Sequence, residues 1–503
     1  MPKHQESLKE KTARGLLWGG MSNVLQQLLG LAFGIVLARK LSQSDYGMVG
    51  MLAIFSAIAA CMQEGGFIAA LNRKKEVTQR DYNAVFWMSV ITSIAFYLLF
   101  FFTAPLIARF YGEPRLTALA RYSFLSFLFV SFSIAPRAYI FKNMMVRQSS
   151  IIALVSMALS GIVGIVMAYQ GYAYWGLATQ NIVFTLSVSV LNYWYSGWRP
   201  TFLLRSQQGN GELSNGKWCH DKWFDLQPIR EMIGFSSKLI VTNIMTAANS
   251  NILSVLLGRY YTASQVGDFT QANKWNTMGH SLITNMLYSV AQPVLAKTDG
   301  DRQRQKHVFR KLLRFTAFVA FPVMLCLALV SEEFIVILIT DKWLSSAQLL
   351  RWLCVAGAWL PVSYLFSNLL ITRGHSTTYM WCTMAFLAAQ LAAVGVCVPY
   401  GIERMVQVYA ALNILWVVVW YWFAHSEIGL SPLEAISDVA PYAVLATAIV
   451  VGAHYATLGI TNLYVSLAAK VVIVAVAYCL ALWLLHSTIF REVVVFITKK
   501  KIE

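Results

Sequence analysis

The sequence predicts an all-α polytopic membrane protein, and three of its properties lead to that prediction. First, 57% of the 503 residues are hydrophobic and only 13% are charged, which is too apolar for a water-soluble protein of this length. Second, the apolar residues form runs of about 20, the length that a helix needs to cross a bilayer. Third, the basic residues concentrate in alternate connections between those runs.

About fourteen runs are long and apolar enough to be transmembrane helices. The first run follows several lysines, outlasts the hydrophobic region of a signal peptide and lacks a convincing cleavage site, so we interpret it as an uncleaved span. The predicted spans are residues 16–38, 46–71, 83–107, 116–134, 150–168, 173–194, 233–257, 266–295, 309–331, 346–372, 377–398, 404–424, 439–457 and 463–486.

The formal net charge of +17 indicates orientation rather than a nucleic-acid partner. If the N-terminus is inside, 27 of the 40 Lys and Arg residues fall in inside segments, seven in outside segments and six within spans. Membrane proteins retain basic residues on the cytoplasmic side. We therefore expect both termini to be cytoplasmic.

The sequence offers neither a cofactor site nor a catalytic site. Six of the seven cysteines lie inside apolar runs, without the paired spacing of a metal site. Residues 211–217 match most of a phosphate-binding loop, but Trp218 stands where Ser or Thr must bind magnesium. We expect no metal, no cofactor and no enzymatic activity.

A weak internal repeat predicts two halves. Residues 35–47 align without gaps on 255–267, and residues 119–122 resemble 349–352. The offsets of about 220–230 residues predict two pseudo-symmetric six-helix lobes around a central cavity, followed by a C-terminal helix pair. The predicted domains are an N-terminal lobe (1–195), a cytoplasmic linker (196–232), a C-terminal lobe (233–424), and the last two spans with an amphipathic basic tail (425–503).

Polar side chains inside the predicted spans give the candidate site, because ionisable groups in hydrocarbon are costly and usually face a cavity or a partner. Six basic residues against Glu64 and Asp268 favour an anionic ligand. These six are Arg121, Lys238, Lys274, Arg314, Arg351 and Lys470. We predict substrate binding by Lys238, Lys274, Arg121, Arg351, Asn249 and Gln271, with coupling or gating by Glu64 and Asp268. Hydrogen bonding between packed helices is the alternative for the neutral residues, and a Lys274–Glu64 ion pair is the alternative for Lys274.

Several motifs of the first half resemble a known family. They are GLLWGG, VLARKLSQSDYGMVGM, EGGF at 64–67, RKK at 73–75 and FSSKL at 235–239. They are similar to those of the Wzx-type polysaccharide flippases, particularly the colanic-acid-exporter-like branch of the multidrug/oligosaccharidyl-lipid/polysaccharide exporter superfamily. KWLSSAQLLRWLC at 342–354 and NLLITRGHS at 368–376 resemble the second half of that branch. The chain departs from the family at 267–271, which lacks the Tyr and Arg common after the glycine.

The resemblance implies fourteen helices in two lobes and a function in lipopolysaccharide or surface polysaccharide biosynthesis. The substrate would be an anionic undecaprenyl-diphosphate-linked oligosaccharide, moved between the leaflets of a bacterial inner membrane by alternating access. Membrane lipids and polysaccharide assembly proteins would be the partners. No nucleic acid is expected.

Three other functions remain open at this point. A cation-coupled multidrug antiporter of the same superfamily would need acidic cavity residues, of which Glu64 is the main candidate. A membrane glycosyltransferase or polymerase would need a catalytic outer loop, but the outer connections are mostly short. A purely structural scaffold would leave the polar stripes unexplained.

Overall fold

The structure is a computed structural model that describes residues 8–64, 77–200, 227–297 and 301–499, with the single positions 68, 71 and 74. Within these residues every regular element is a helix and no strand occurs, so the prediction of an all-α protein is confirmed. Most of the predicted linker, including the loop at 211–217, lies outside the described residues.

The chain divides into two compact units, Met1–Asn251 and Ile252–Glu503. The first unit contains seven complete described helices and most of an eighth. They are α1 (Leu8–Lys40), α2 (Gln43–Glu64), α3 (Gln79–Tyr111), α4 (Leu116–Ser123), α5 (Leu125–Lys142), α6 (Val146–Tyr169), α7 (Tyr174–Ser196) and α8 (Gln227–Tyr260). The boundary between the units falls inside α8, and the bounds of the four predicted domains stay predictions.

The second unit begins near the end of α8. Its helices are α9 (Ala263–Lys297), α10 (Arg302–Leu329), α11 (Ser331–Ile339), α12 (Leu344–Gly357), α13 (Leu360–Thr372), α14 (Ser376–Val396), α15 (Ile402–Ile428), α16 (Pro432–Ala456), α17 (Leu463–Leu484) and α18 (Thr488–Lys499). Two short 3₁₀ turns, Asp341–Trp343 and Val398–Tyr400, precede α12 and α15.

Local sequence signals explain several helix ends. Thr78 begins α3 as an N-cap with Asp81 in a reciprocal capping box, and Gly112 ends it in the left-handed conformation. Ser431 and Glu434 form the same box at the start of α16. Each box satisfies backbone N–H groups that the first turn of a helix leaves without a partner.

Helix α10 forms the centre of the second unit. It packs against α9, α12, α16 and α17. Phe309, Leu313 and Met324 on α10 are fully buried among these neighbours. Because α10 changes from charged residues to an apolar sequence after Arg314, its first half carries ion pairs and its second half carries the apolar core.

Twelve described segments are long and apolar enough to cross a membrane, so the exact count of fourteen is not confirmed. Helices α7 and α9 have sufficient length but fall outside the apolar set. Their interiors carry several amide side chains, which lower their hydropathy. The predicted span 346–372 consists of two helices separated at Ala358 and Trp359, and the predicted span 116–134 begins with the short helix α4.

Candidate substrate site

Helix α9 carries a predicted polar stripe on one side, and the residues of that stripe differ in exposure. The stripe consists of Gln271, Lys274, Ser281, Asn285 and Gln292. Lys274 and Ser281 are partly exposed and Asn285 is exposed. Their spacing of seven and four residues places them on one side of the helix. Gln271, three residues before Lys274 and therefore on the same side, is fully buried. The polar stripe is thus open at Asn285, partly open at Lys274 and Ser281, and covered at Gln271.

The Lys274 ammonium lies beside a fixed aromatic ring. Its Nζ is 5.8 Å from the centroid of the Trp275 ring. Trp275 is buried, and its ring packs edge-on against Phe334 at 5.3 Å. Among the described residues no carboxylate forms an ion pair with Lys274. Since an unpaired ammonium is costly in an apolar region, an anion or water is the expected partner.

Gln271 is buried on α9. Its side chain is fully buried, and its amide oxygen and nitrogen make no hydrogen bond to the described residues. Asn276 Oδ1 and His280 Nδ1, elsewhere on α9, are also buried and make no such bond. Buried polar atoms without partners cost roughly 1–3 kcal/mol each. Gln271 thus belongs to the helix interface, and its predicted role in substrate binding stays untested.

Asp268, near the start of α9, is buried and accepts a hydrogen bond from Ser346 Oγ of α12 at 3.0 Å. If Asp268 has the predicted gating role, it acts through this contact between α9 and α12.

The two arginines predicted to assist substrate release have different surroundings. Arg121 on α4 donates from Nε to the Phe101 carbonyl at 3.2 Å, and its guanidinium lies 4.4 Å from the Phe101 ring centroid. Arg351 on α12 is exposed. Neither forms an ion pair with a described carboxylate. Both remain candidates for an anionic ligand.

Three other predicted site residues lie on α2 and α8. Asn249 on α8 is buried. The side chains of Lys238 and Glu64 lie outside the described part of the chain, although the backbone at both positions is helical. The Lys274–Glu64 ion pair accordingly stays a prediction.

Two ion-pair groups in the second unit correct the balance of charge predicted within the spans. Arg314 pairs with Asp438 at 2.5 Å, and Lys470 pairs with Glu333. Both acids are buried. Only Glu64 and Asp268 fall within the predicted spans, because Glu333 and Asp438 lie just beyond the predicted span ends. Arg314 and Lys470 are therefore counterions of buried acids, and the excess of positive charge within the spans is smaller than the sequence predicts.

No described group of three or more His, Cys, Asp and Glu side chains has an arrangement that could hold a metal ion. The candidate residues without an acidic partner among the described residues carry ammonium, guanidinium and amide groups. Such groups bind anionic and hydroxyl-rich ligands by hydrogen bonding.

Comparison with known proteins identifies the family. Residues 36–348 match the family described as polysaccharide biosynthesis protein. The chain belongs to this family. Among the relatives of this polysaccharide biosynthesis protein is the lipopolysaccharide biosynthesis protein WzxC of Escherichia coli K12, 24% identical over 369 residues that cover 73% of this chain and 71% of WzxC. The predicted resemblance to Wzx-type proteins is confirmed.

Solved structures share the fold of this polysaccharide biosynthesis protein. The lipid II flippase MurJ in an inward closed conformation matches with a TM-score of 0.75 and 14% identity, covering 95% of this chain and all of MurJ. An inward-facing multidrug resistance transporter of the MATE family matches with a TM-score of 0.62 and 16% identity, covering 80% of this chain and 94% of the transporter. The chain thus has the transporter fold of a multi-pass membrane protein.

Proposed function

We propose that this protein is a flippase that moves undecaprenyl-diphosphate-linked oligosaccharide units across a bacterial inner membrane by alternating access. The family match over residues 36–348 carries the proposal. The similarity to WzxC, named as a lipopolysaccharide biosynthesis protein, supports a polysaccharide precursor as the substrate. Both termini are proposed to be cytoplasmic, and polysaccharide assembly proteins are the proposed partners.

The charge on the substrate fits the cations that have no acidic partner among the described residues. A diphosphate is anionic, and charge-assisted hydrogen bonds to ammonium and guanidinium groups are stronger than neutral ones. The partly exposed Lys274 of α9 is proposed as the main diphosphate contact, with help from Lys238 of α8. Arg121 and Arg351 are proposed to assist release, with Asn249 and Gln271 supporting the site.

The protein is proposed to work without covalent catalysis. Glu64 and Asp268 are proposed as coupling or gating groups, and neither a metal nor a cofactor is required for movement of a lipid between leaflets. The hydrophobic lipid tail can remain in the bilayer, so only the polar head group must be shielded from hydrocarbon.

The fold shared with a multidrug transporter keeps a second function in view. A cation exporter of this fold would bind a positively charged drug, so its site would need negatively charged side chains. The partly exposed Lys274 disfavours such a ligand.

Reconstitution in vesicles tests the proposal. A fluorescent undecaprenyl-diphosphate oligosaccharide is placed in vesicles with or without the protein, and an impermeant quencher reports the fraction in the outer leaflet over time. We expect the protein to accelerate movement of this lipid and not the export of a cationic dye. Transport of the dye without movement of the lipid would refute the proposal in favour of the multidrug function.

A further inference from the structure

A small cavity in the second unit lies between α10 and α18, and none of its lining residues belongs to α9. Its volume is about 150 Å³. It is lined by His307, Arg310, Lys311, Arg314, Thr488, Ile489 and Glu492. The volume is that of a few water molecules, so the cavity admits a group of the size of a phosphate and not an oligosaccharide.

One wall of this cavity is entirely basic. His307, Arg310, Lys311 and Arg314 follow one another at i, i+3, i+4 and i+7 along α10. This spacing places all four on one face of the helix. Because like charges at these spacings destabilise a helix, the face needs negative charge from elsewhere.

The protein supplies part of that negative charge. Asp438 and Glu434 on α16 together occupy Nε, Nη1 and Nη2 of Arg310. Lys311 pairs with Glu492 across the cavity at 2.7 Å. Arg310 thereby donates three of its five N–H groups to these acids, and Lys311 donates one of its three to Glu492.

Other hydrogen-bond donors in the cavity wall have no acceptor within the described part of the chain. Arg314 binds Asp438 through Nε alone, and its guanidinium is 38% exposed. Within the described part of the chain, the terminal nitrogens of Arg314, the ring nitrogens of His307 and the Thr488 hydroxyl have no hydrogen-bond partner. The planar guanidinium of arginine matches the geometry of phosphate oxygens.

The cavity also lies next to two candidate membrane spans. The apolar half of α10 begins after Arg314, and α18 follows the candidate span α17 after a short connection. Ile489 of α18 is buried while Arg491 and Glu492 are exposed, which is the pattern of a helix in the membrane interface. Basic pockets between helices at this level bind the head groups of anionic lipids.

We propose that this cavity binds the phosphate of an anionic bilayer phospholipid, which joins α18 to α10. Arg314, Lys311, His307 and Thr488 donate to the phosphate oxygens, and the acyl chains lie along the apolar surface beyond Arg314. The site is separate from the proposed transport site on α9, so the two proposals fail or succeed independently.

Thermal unfolding of the full chain in detergent tests this site. The protein is titrated with dioleoyl phosphatidylglycerol, with dioleoyl phosphatidylcholine or with inorganic phosphate. Phosphatidylglycerol should raise the melting temperature in a saturable way, and the other two should not. An equal shift with phosphatidylcholine would overturn the anionic preference, and an equal shift with inorganic phosphate would replace the lipid by free phosphate as the ligand.

Two variants with the same change in charge locate the effect. Arg314→Gln should raise the half-saturating concentration of phosphatidylglycerol about tenfold, as expected for the loss of a charge-assisted hydrogen bond. Lys306→Gln on the same helix is the matched control, because Lys306 pairs with Glu434 and does not line the cavity. Equal losses in both variants would assign the effect to net charge and overturn the site.

A third variant leaves the ion pairs around the cavity intact. His307→Leu combined with Thr488→Val removes two donors that pair with no described acid. It should weaken the response to phosphatidylglycerol even if Arg314→Gln fails to fold. An unchanged response in this double variant would overturn the proposed donor set.

Discussion

Arg310 and Asp438 form a bidentate ion pair between α10 and α16, with Nε–Oδ2 at 2.6 Å and Nη2–Oδ1 at 3.0 Å. Asp438 is fully buried, and Arg314 donates to it from a third direction. A buried carboxylate is stable only when it is paired and hydrogen-bonded. The two arginines therefore hold α16 against α10, and Arg314 is not free to bind substrate through Nε.

Asp438→Asn should destabilise the protein strongly. Removal of one partner of a buried ion pair typically costs about 3–5 kcal/mol in the free energy of unfolding. Glu434→Gln is the control on the same helix, because Glu434 is more exposed and should matter less. Chemical unfolding of the purified variants measures both. Equal destabilisation by the two changes would contradict the ranking by burial.

Glu333 and Lys470 should act as a structural pair and not as a transport site. Ser466 and Lys470 on α17 both donate to Glu333 Oε1 on α11. Lys470→Met alone should destabilise the protein, because it leaves a buried carboxylate without its counterion. Lys470→Met with Glu333→Leu should recover much of the stability and retain transport. Loss of transport in a stable double variant would return Lys470 to the substrate site.

The same pair should add a dependence of stability on pH. Burial by itself raises the pKa of Glu333, but the hydrogen bonds from Lys470 and Ser466 and the nearby ammonium charge lower it below the ordinary value. A lowered pKa in the folded state means that the stabilisation is present above the unfolded pKa, about 4.3, and is lost as the pH falls through the folded value. Melting temperatures measured between neutral and acidic pH should fall less in the double variant than in the wild type.

The class of fold could be predicted because long apolar runs can be recognised in the sequence without knowledge of how the helices pack. Asp438 and Glu333 were missed for a physical reason. Each acid lies next to a span end, where hydropathy assigns it to water, and only packing against α10 or α17 makes it a partner of a basic residue. The exposure of residues along the α9 stripe differs for a similar reason, since helical spacing fixes which residues share a side but not which of them a neighbouring helix covers.

Gly161 should tolerate no larger residue. A Cβ built at Gly161 on α6 would lie 2.3 Å from Cδ2 of Phe33 on α1. Such overpacking typically costs about 1–3 kcal/mol, so Gly161→Ala should lower the melting temperature. Gly20→Ala on α1 is the control, because nothing lies within 4 Å of its Cβ and alanine favours a helix. A loss of stability in the control as large as that in Gly161→Ala would refute the packing argument.

The linker 196–232 and both termini should be cytoplasmic. The excess of basic residues on that side motivates the prediction. In a background without the seven native cysteines, Ser206→Cys tests the linker and Thr262→Cys tests a connection predicted to be outside. An impermeant thiol reagent added to intact spheroplasts should label position 262 and spare position 206. The reverse pattern would invert the proposed topology.

Lys274→Gln should greatly reduce flipping of the lipid-linked oligosaccharide at normal protein abundance. The reason is the ammonium of the partly exposed Lys274 on α9, which forms no ion pair with a described residue. Lys342→Gln is a close control, because Lys342 also lies beside a tryptophan, 5.9 Å from the Trp343 ring, but outside the stripe. Lys274→Arg keeps the positive charge and should retain part of the activity. Full activity of Lys274→Gln in the vesicle assay would remove this residue from the site.

A second substitution separates the two roles that remain for Lys274. If the Lys274 ammonium binds the diphosphate, Lys274→Gln should lose activity whether Glu64 is native or replaced by Gln. In both cases the diphosphate has lost its positively charged partner. If instead Lys274 and Glu64 pair to hold one conformational state, each single change leaves one charge without its partner, and the double change relieves that cost. Activity restored in the double variant would therefore favour the ion pair over the binding site. We expect no restoration, because the diphosphate is the partner proposed for Lys274.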